Sequence, residues 1–146
     1  MGREILFRGK RTDNGKMVEG SYCPKKGGHY ESDKFVEEIQ HLIIVNMNDG
    51  GYQYAEVYPE TVCQYTGTPD KRRRKIFEGD IVRRKLFEEY IIGEVVWQDI
   101  GVCGFYLKCG NKYYPIGKDE YVEMSRCDEV IGNIFDNPEL LKGDSK

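Results

Sequence analysis

Apolar and polar residues alternate with a two-residue period along most of this chain, in short runs separated by turn signals. Ile5 to Arg8 and Lys16 to Gly20 read as two strands, and Thr12-Asp13-Asn14-Gly15 supplies the turn between them. Asn-Gly tolerates the positive φ that a type I′ turn needs at both central positions. Ser21 to Asp33 is polar and Gly-rich and reads as a loop. Lys34 to Val45 fits two descriptions. Phe35, Val36, Ile39, Leu42 and Ile43 fit a helical stripe capped by Ser32 or Asp33, whereas His41 to Met47 reads as a buried strand. The strand is expected after residue 40, and residues 34 to 40 stay open. Asn48-Asp49-Gly50-Gly51 then turns the chain into Tyr52 to Tyr58, where alternation marks a second hairpin. Further strands are predicted over Tyr90 to Trp97, Gly104 to Cys109, Lys112 to Ile116 and Glu129 to Phe135. Asn137 caps a single helical turn that starts with Pro138. This spacing of strands predicts a small sandwich or barrel.

Composition supports the β reading. Eleven Tyr and six Phe stand against one Trp, and seventeen Gly suit frequent turns. At 146 residues the chain is long enough for one domain with a real core. Five cysteines (Cys23, Cys63, Cys103, Cys109, Cys127) form an odd set without a Cys-x-x-Cys pair, and no apolar h-region follows Met1. The expectation is a cytoplasmic protein with reduced thiols, most of them buried, and no membrane association.

Charge changes the picture in one place. The net charge is −3, which predicts no global affinity for nucleic acid, but Lys71 to Lys85 holds eight basic and two acidic residues. That segment carries +6 and the remainder −9. It overlaps Val57 to Val82, the longest patterned stretch, which reads as an extended segment, a corner, a basic turn and a strand entered through Glu78-Gly79-Asp80. Lys71, Arg72, Arg73, Arg74 and Lys75 are the candidate nucleic-acid contacts, as cations able to grip a phosphate backbone; a solvated turn is the plainer reading. Arg83 and Arg84 cannot both join such a patch, because successive strand residues face opposite ways. Glu78 and Asp80 form a candidate carboxylate pair for acid–base work. Against that, Gly79 suits a bend and Asp80 suits a corner where it accepts backbone N–H bonds. His29 and His41, with Cys23 or Cys63, lack zinc-site spacing. Phe105, Tyr106, Tyr113 and Tyr114 are candidates for base stacking or for core, with Tyr106 on the face opposite Phe105 and Leu107.

Three blocks together resemble the YopX family of phage and prophage proteins. They are Arg8-Gly-Lys-Arg11 through Asn14 to Gly20; Pro59 to Val62, Gln64 to Gly67, Asp70-Lys71 and Ile76 to Val82; and Glu129 to Leu141. The resemblance implies an all-β fold of two small β lobes, the second an SH3-like barrel, with a short C-terminal helical turn. It places one lobe over about 1–60 and the other over about 61–146 of a single domain, and implies no reaction. Met17 stands where the family often has Trp, Cys63 where it often has Gly, and Arg72-Arg73 where it usually has Asn-Gly. Two arginines disfavour a type I′ turn, so a longer or differently shaped loop is expected there. The leading functional expectation is a non-catalytic β module that binds a macromolecule, itself included, without cofactor, metal or catalytic residue. Nucleic-acid binding through residues 71–75 and an enzyme centred on Glu78 and Asp80 are the alternatives.

Overall fold

The structure is a computed structural model that describes residues 4–86, 88–116 and 127–142. The chain divides into two compact units, one of residues 5–64 and one of residues 1–4 with 65–146. All strand pairing is antiparallel, and the one described helix is a single turn, so the fold is all-β.

In the unit of residues 5–64, β1 (Phe7–Lys10), β2 (Met17–Glu31), β3 (Lys34–Asn46) and β4 (Tyr52–Glu56) lie in the order β4-β3-β2-β1. A 3-10 turn, Pro59–Thr61, follows, and Thr61 Oγ1 accepts the Lys10 amide at 2.9 Å while donating to the Tyr58 carbonyl. The first residues of β5 (Cys63–Pro69) then pair with β1, as Phe7 with Gln64 and Arg8 with Cys63. Ile43, Ala55 and Val57 are buried here.

Two expectations fail in this unit, for related reasons. The Asn14-Gly15 turn is not type I′: only Gly15 has positive φ, at 71°, and the loop closes as a wider one between Arg11 and Lys16. The Asn14 side chain accepts the Lys16 amide instead, which satisfies the turn without a left-handed Asn. The second correction is larger. Residues 21 to 31 continue β2 rather than forming a loop, and residues 34 to 40, left open by the sequence, are strand. Eleven consecutive pairs run from Ser21 with Ile44 to Glu31 with Lys34. The two-residue turn that sets this register is Ser32-Asp33, where φ is 46° and 67°. Positive φ at both central residues is the type I′ requirement, met here without a glycine.

In the other unit, β6 (Lys75–Phe77) pairs with the later part of β5. A five-stranded sheet runs in the order β10-β9-β8-β7-β11, from β7 (Asp80–Leu86), β8 (Glu89–Asp99), β9 (Cys103–Cys109), β10 (Lys112–Pro115) and β11 (Asp128–Asn133). No ladder joins β10 to β11 among the described residues, so the sheet is open. Ile76, Val82, Val95 and Leu107 are fully buried, and Ile91, Phe105, Cys109, Tyr114, Ile116 and Val130 pack against them. Gly93 allows the sheet to close up, since a Cβ there would fall 2.5 Å from the Lys108 carbonyl oxygen and 2.6 Å from Cys109 Sγ. After β11, Asn137 Oδ1 accepts the Asn133 amide and the chain enters α1 (Glu139–Lys142) just past Pro138, matching the predicted turn.

Arg84 lies 1% exposed in this unit and forms a bidentate pair with the fully buried Asp128, while its Nη2 also donates to the Pro115 carbonyl at 3.1 Å. Burial pushes the Asp128 carboxyl up, the Arg84 guanidinium pulls it back, and Asp70 adds to the rise. Of the five cysteines only Cys63 is buried; Cys23 and Cys103 are exposed and Cys109 and Cys127 half-buried. The expected burial of most of them is therefore corrected: Cys23 lies on β2, whose far part is covered by neither sheet nor core, and Cys103 begins β9 at the turn. Removing one partner of a buried ion pair leaves an uncompensated charge, so Asp128→Ala is expected to lower unfolding free energy by about 3–5 kcal/mol. The double variant Arg84→Met, Asp128→Leu, which replaces both charges by apolar side chains, is expected to restore much of that. Urea denaturation of the two variants checks both halves.

Candidate functional site

The basic loop is held by one carboxylate. Asp70 is buried, and its Oδ1 accepts the amides of Arg72 and Arg74, each at 2.8 Å, while Oδ2 accepts the Val130 amide at 3.0 Å. The Arg73 amide donates to the Asp70 carbonyl, the Asp70 amide to the Arg74 carbonyl at 2.7 Å, and the Lys71 amide to the Asp128 carbonyl at 2.9 Å. The loop is thus a four-residue turn, Asp70 to Arg73, whose last residue, Arg73, is left-handed with φ of 68°. Two arginines stand in it because only one position needs positive φ.

All five side chains from Lys71 to Lys75 are exposed. Several are engaged locally. Arg72 Nε lies 3.2 Å from Glu129, whose other oxygen takes Arg83 Nη2 at 2.6 Å. Arg74 Nη1 reaches the Val130 carbonyl at 3.4 Å, and Lys75 Nζ lies 4.0 Å from Glu4. Lys71 and Arg73 form no ion pair among the described residues. Arg83 and Arg84 separate as strand alternation requires: Arg84 goes to Asp128 inside, Arg83 to Glu129 and the Tyr90 ring, 5.1 Å from its centroid.

The Glu78-Gly79-Asp80 corner has the geometry of a cap. Asp80 is 1% exposed and its Oδ2 accepts the Phe77 amide at 2.8 Å. Gly79, at φ of 86°, donates to the Val95 carbonyl and accepts the Ile134 amide. Neither carboxylate lines the two grooves described next. One, of about 450 Å³, is formed by Ile91, Ile92, Glu94, Lys108, Cys109, Gly110 and Leu141. Burial pushes the Glu94 carboxyl there up, Lys108 opposes this, and Glu78 adds to it. The second, of about 540 Å³, includes Tyr65, Thr68, Trp97, Cys103 and Phe105, with Glu4 at its rim. Burial pushes the Tyr65 hydroxyl up, with Glu4 adding to the rise.

Among the aromatic candidates, Phe105 and Tyr114 pack on the core. Tyr106 is half-buried, its hydroxyl donating to the Val102 carbonyl at 2.6 Å and its ring edge-on to Tyr113. The exposed aromatics of this unit among the described residues are Tyr90 and Trp97 instead, and Trp97 packs edge-on against Phe105. His29 lies between Glu31 and Glu38 at 2.9 and 3.0 Å, and His41 stacks on Tyr22. Among the described residues, no group of three or more His, Cys, Asp or Glu is placed to hold a metal ion.

Sequence reasoning missed an exposed apolar surface. Past Pro24 and His41, β2 and β3 pair only with each other among the described residues. Directly opposed residues of an antiparallel pair share a face. One face therefore carries Tyr30 with Phe35, Gly28 with Glu37, Lys26 with Ile39, and Pro24 with His41. Tyr30, Phe35 and Ile39 are 74%, 56% and 55% exposed, and the two rings meet edge-on at 5.3 Å. A Cβ on Gly28 would fall 2.5 Å from Phe35 Cζ, so the ring lies across the glycine. The signal is present as Phe35 and Ile39, but Gly27-Gly28 reads as punctuation.

The loop geometry yields a test. A non-glycine residue in the left-handed region costs about 1–2 kcal/mol, partly offset by the extra freedom of glycine in the unfolded chain. Arg73→Gly is expected to raise stability by about 0.5–1 kcal/mol. Asp70→Ala strips the acceptor from three backbone amides and is expected to cost about 3 kcal/mol or more. Thermal unfolding of the two variants reads the opposite signs.

A family model described as YopX protein matches residues 6–142. Among solved structures, the crystal structure of protein EF1440 from Enterococcus faecalis is similar, with a TM-score of 0.51 and 22% identity over 96% of this chain and 99% of that one. That likeness shows the fold. No curated protein matches the chain. No helix among the described residues is long and apolar enough to cross a membrane. With three blocks of its sequence, its all-β architecture and a family model spanning most of its length in agreement, the chain belongs to the YopX family.

Proposed function

We propose that this chain is a non-catalytic β module of phage or prophage origin that works in the cytoplasm by binding another macromolecule. The observation that carries the reading is the apolar face of the β2–β3 arm, with Tyr30, Phe35 and Ile39 exposed side by side. A two-stranded ribbon is marginally stable in water, and aromatic residues on it are an affinity reserve that a partner releases by covering them. Two rigid χ angles per ring keep the ordering cost of that contact low. The test uses the chain as immobilised bait against an extract of prophage-induced cells, beside the double variant Tyr30→Lys, Phe35→Lys. The wild type is expected to retain a defined macromolecule at low micromolar concentration, and the variant to retain at least tenfold less with an unchanged circular dichroism spectrum. Equal retention by the two proteins refutes the arm as the binding surface.

A second reading rests on the exposure of all five cations of the loop 71–75, carried on a turn that Asp70 fixes. It assigns nucleic-acid backbone binding to that loop. Because Arg72 and Lys75 are engaged with Glu129 and Glu4, about two to three phosphates are contacted, and the slope of log affinity against log salt is expected at about −2 to −3. Replacing Arg72-Arg73-Arg74 by Asn-Gly-Lys removes two charges, fits glycine to the left-handed position and is expected to abolish retention. Filter binding at low salt with single- and double-stranded DNA and RNA reads this, and no retention of any of the four ends the second reading.

A further inference from the structure

One face of the β8–β9 ladder changes character along its length. Directly opposed and alternate residues share a face, so Val95 with Leu107, Trp97 with Phe105 and Asp99 with Cys103 follow one another on one side of the sheet. The first pair is fully buried, Trp97 is 53% exposed, and Asp99 and Cys103 are exposed. Core thus grades through aromatic surface into a carboxylate. Trp97 and Phe105 meet at 74° with centroids 5.0 Å apart, and one edge-on contact covers at most one face of the Trp97 ring. The groove of about 540 Å³ lies beside this ring, bounded also by Tyr65, Thr68 and Ile116. Among the described residues Glu4 is its charged lining group, and no basic residue lines it. Burial, and then Glu4, push the Tyr65 hydroxyl up, so the Glu4 charge is felt inside the groove. Lys75 Nζ lies 4.0 Å from Glu4, an exposed pair that contributes little, and Asp99 forms no ion pair among the described residues.

An aromatic face beside two carboxylates, with no cation in the lining, is complementary to an organic cation. We propose that this groove takes the arginine side chain of a partner polypeptide, with the guanidinium stacked on Trp97 and its N–H fork turned to Glu4 or Asp99. Three features select guanidinium over ammonium. Trp gives the strongest cation–π attraction of the aromatic side chains, and a planar cation uses the whole ring face. Guanidinium is also the more weakly hydrated cation, which matters where the ring is open to water. Its donors lie in the plane of the group, so the flat face can stack while the edge reaches a carboxylate. Trp97 and Asp99 stand two residues apart, about 7 Å along the strand, so a guanidinium over the ring has an acceptor one step away. The site lies within the unit of residues 1–4 and 65–146 and does not depend on the β2–β3 arm.

Trp97 is the only Trp of the chain, so its fluorescence reports this groove alone. The full chain is titrated at constant ionic strength with N-acetyl-arginine amide, with its neutral near-isostere N-acetyl-citrulline amide, and with N-acetyl-lysine amide. Blocked ends make each probe the equivalent of a residue within a chain. The arginine probe is expected to quench Trp97 saturably in the millimolar range, and the other two to bind at least about fivefold more weakly. The double variant Glu4→Gln, Asp99→Asn is expected to bind the arginine probe about threefold more weakly or worse, with an unchanged circular dichroism spectrum. Trp97→Leu, read by saturation-transfer NMR on the probe, is expected to lose binding. No saturable change, equal binding of the citrulline probe, or an unaltered affinity in the carboxylate variant each overturns the arginine site. A lysine probe that binds as tightly as the arginine probe overturns the assignment to guanidinium. The three-probe comparison uses the wild type alone, so misfolding of a variant cannot mask its outcome.

Discussion

The carboxylate of Asp70 sets the form of the larger β unit. It sits buried at the end of the β5–β6 hairpin and accepts two amides of the loop and one of β11, so a single side chain fixes the turn and docks it on a strand distant in sequence. Three charge-assisted bonds from backbone donors substitute for the water those amides would otherwise need. The consequence reaches the next turn. With the hairpin docked, Ile76 and Phe77 are buried, and Gly79 and Asp80 close the corner through the Phe77 amide, the Val95 carbonyl and the Ile134 amide. The two buried aspartates of the central stretch thus serve the main chain: Asp70 accepts three backbone amides and Asp80 accepts that of Phe77.

That placement also explains the fate of the basic residues. Asp128 and Glu129, adjacent on β11, point to opposite sides as strand residues must, and each finds an arginine on β7: Arg84 within, Arg83 without. Arg72 then joins Glu129 from the loop. A run that looks like a phosphate grip in one dimension is partly a set of counter-ions to the unit's own carboxylates. The cations outside this arrangement, Lys71 and Arg73, sit at the turn itself.

How much of this is legible in the sequence follows from how local the cause is. The corner at Glu78-Gly79-Asp80 and the helix start after Pro138 are written in adjacent residues, although Asn137 Oδ1 accepts the Asn133 amide upstream of the helical turn. The β2–β3 arm is not legible. Its polar residues Lys25, Lys26, His29 and Glu31 and its two glycines resemble a loop, because a ribbon exposed on both faces has no core side to impose alternation. Its register is set by Ser32 and Asp33, neither of which announces a left-handed turn as Asn-Gly does. The Asn14-Gly15 pair, which does, forms a wider loop because the Asn14 side chain satisfies the Lys16 amide directly. Tyr106 departs from expectation for another reason: alternation places a residue on a face, yet cannot show that its hydroxyl will find the Val102 carbonyl.

The two charged features of the chain thus differ in kind, and the difference argues for where binding resides. Around the basic loop, charge is neutralised within the unit, by Glu129 and Glu4, over a turn whose backbone is fully committed. Along the arm, the ion pairs among the described residues are those of His29 with Glu31 and Glu38, and both glutamates belong to the acidic tip itself. Those carboxylates lie on the face opposite Tyr30, Phe35 and Ile39, whose aromatic surface no other described strand covers. Segregated charge contributes little to folding, since like charges held on one short ribbon repel. It contributes to association, because it selects an orientation and penalises the wrong one. The −9 carried outside Lys71–Lys85 repels polyanions.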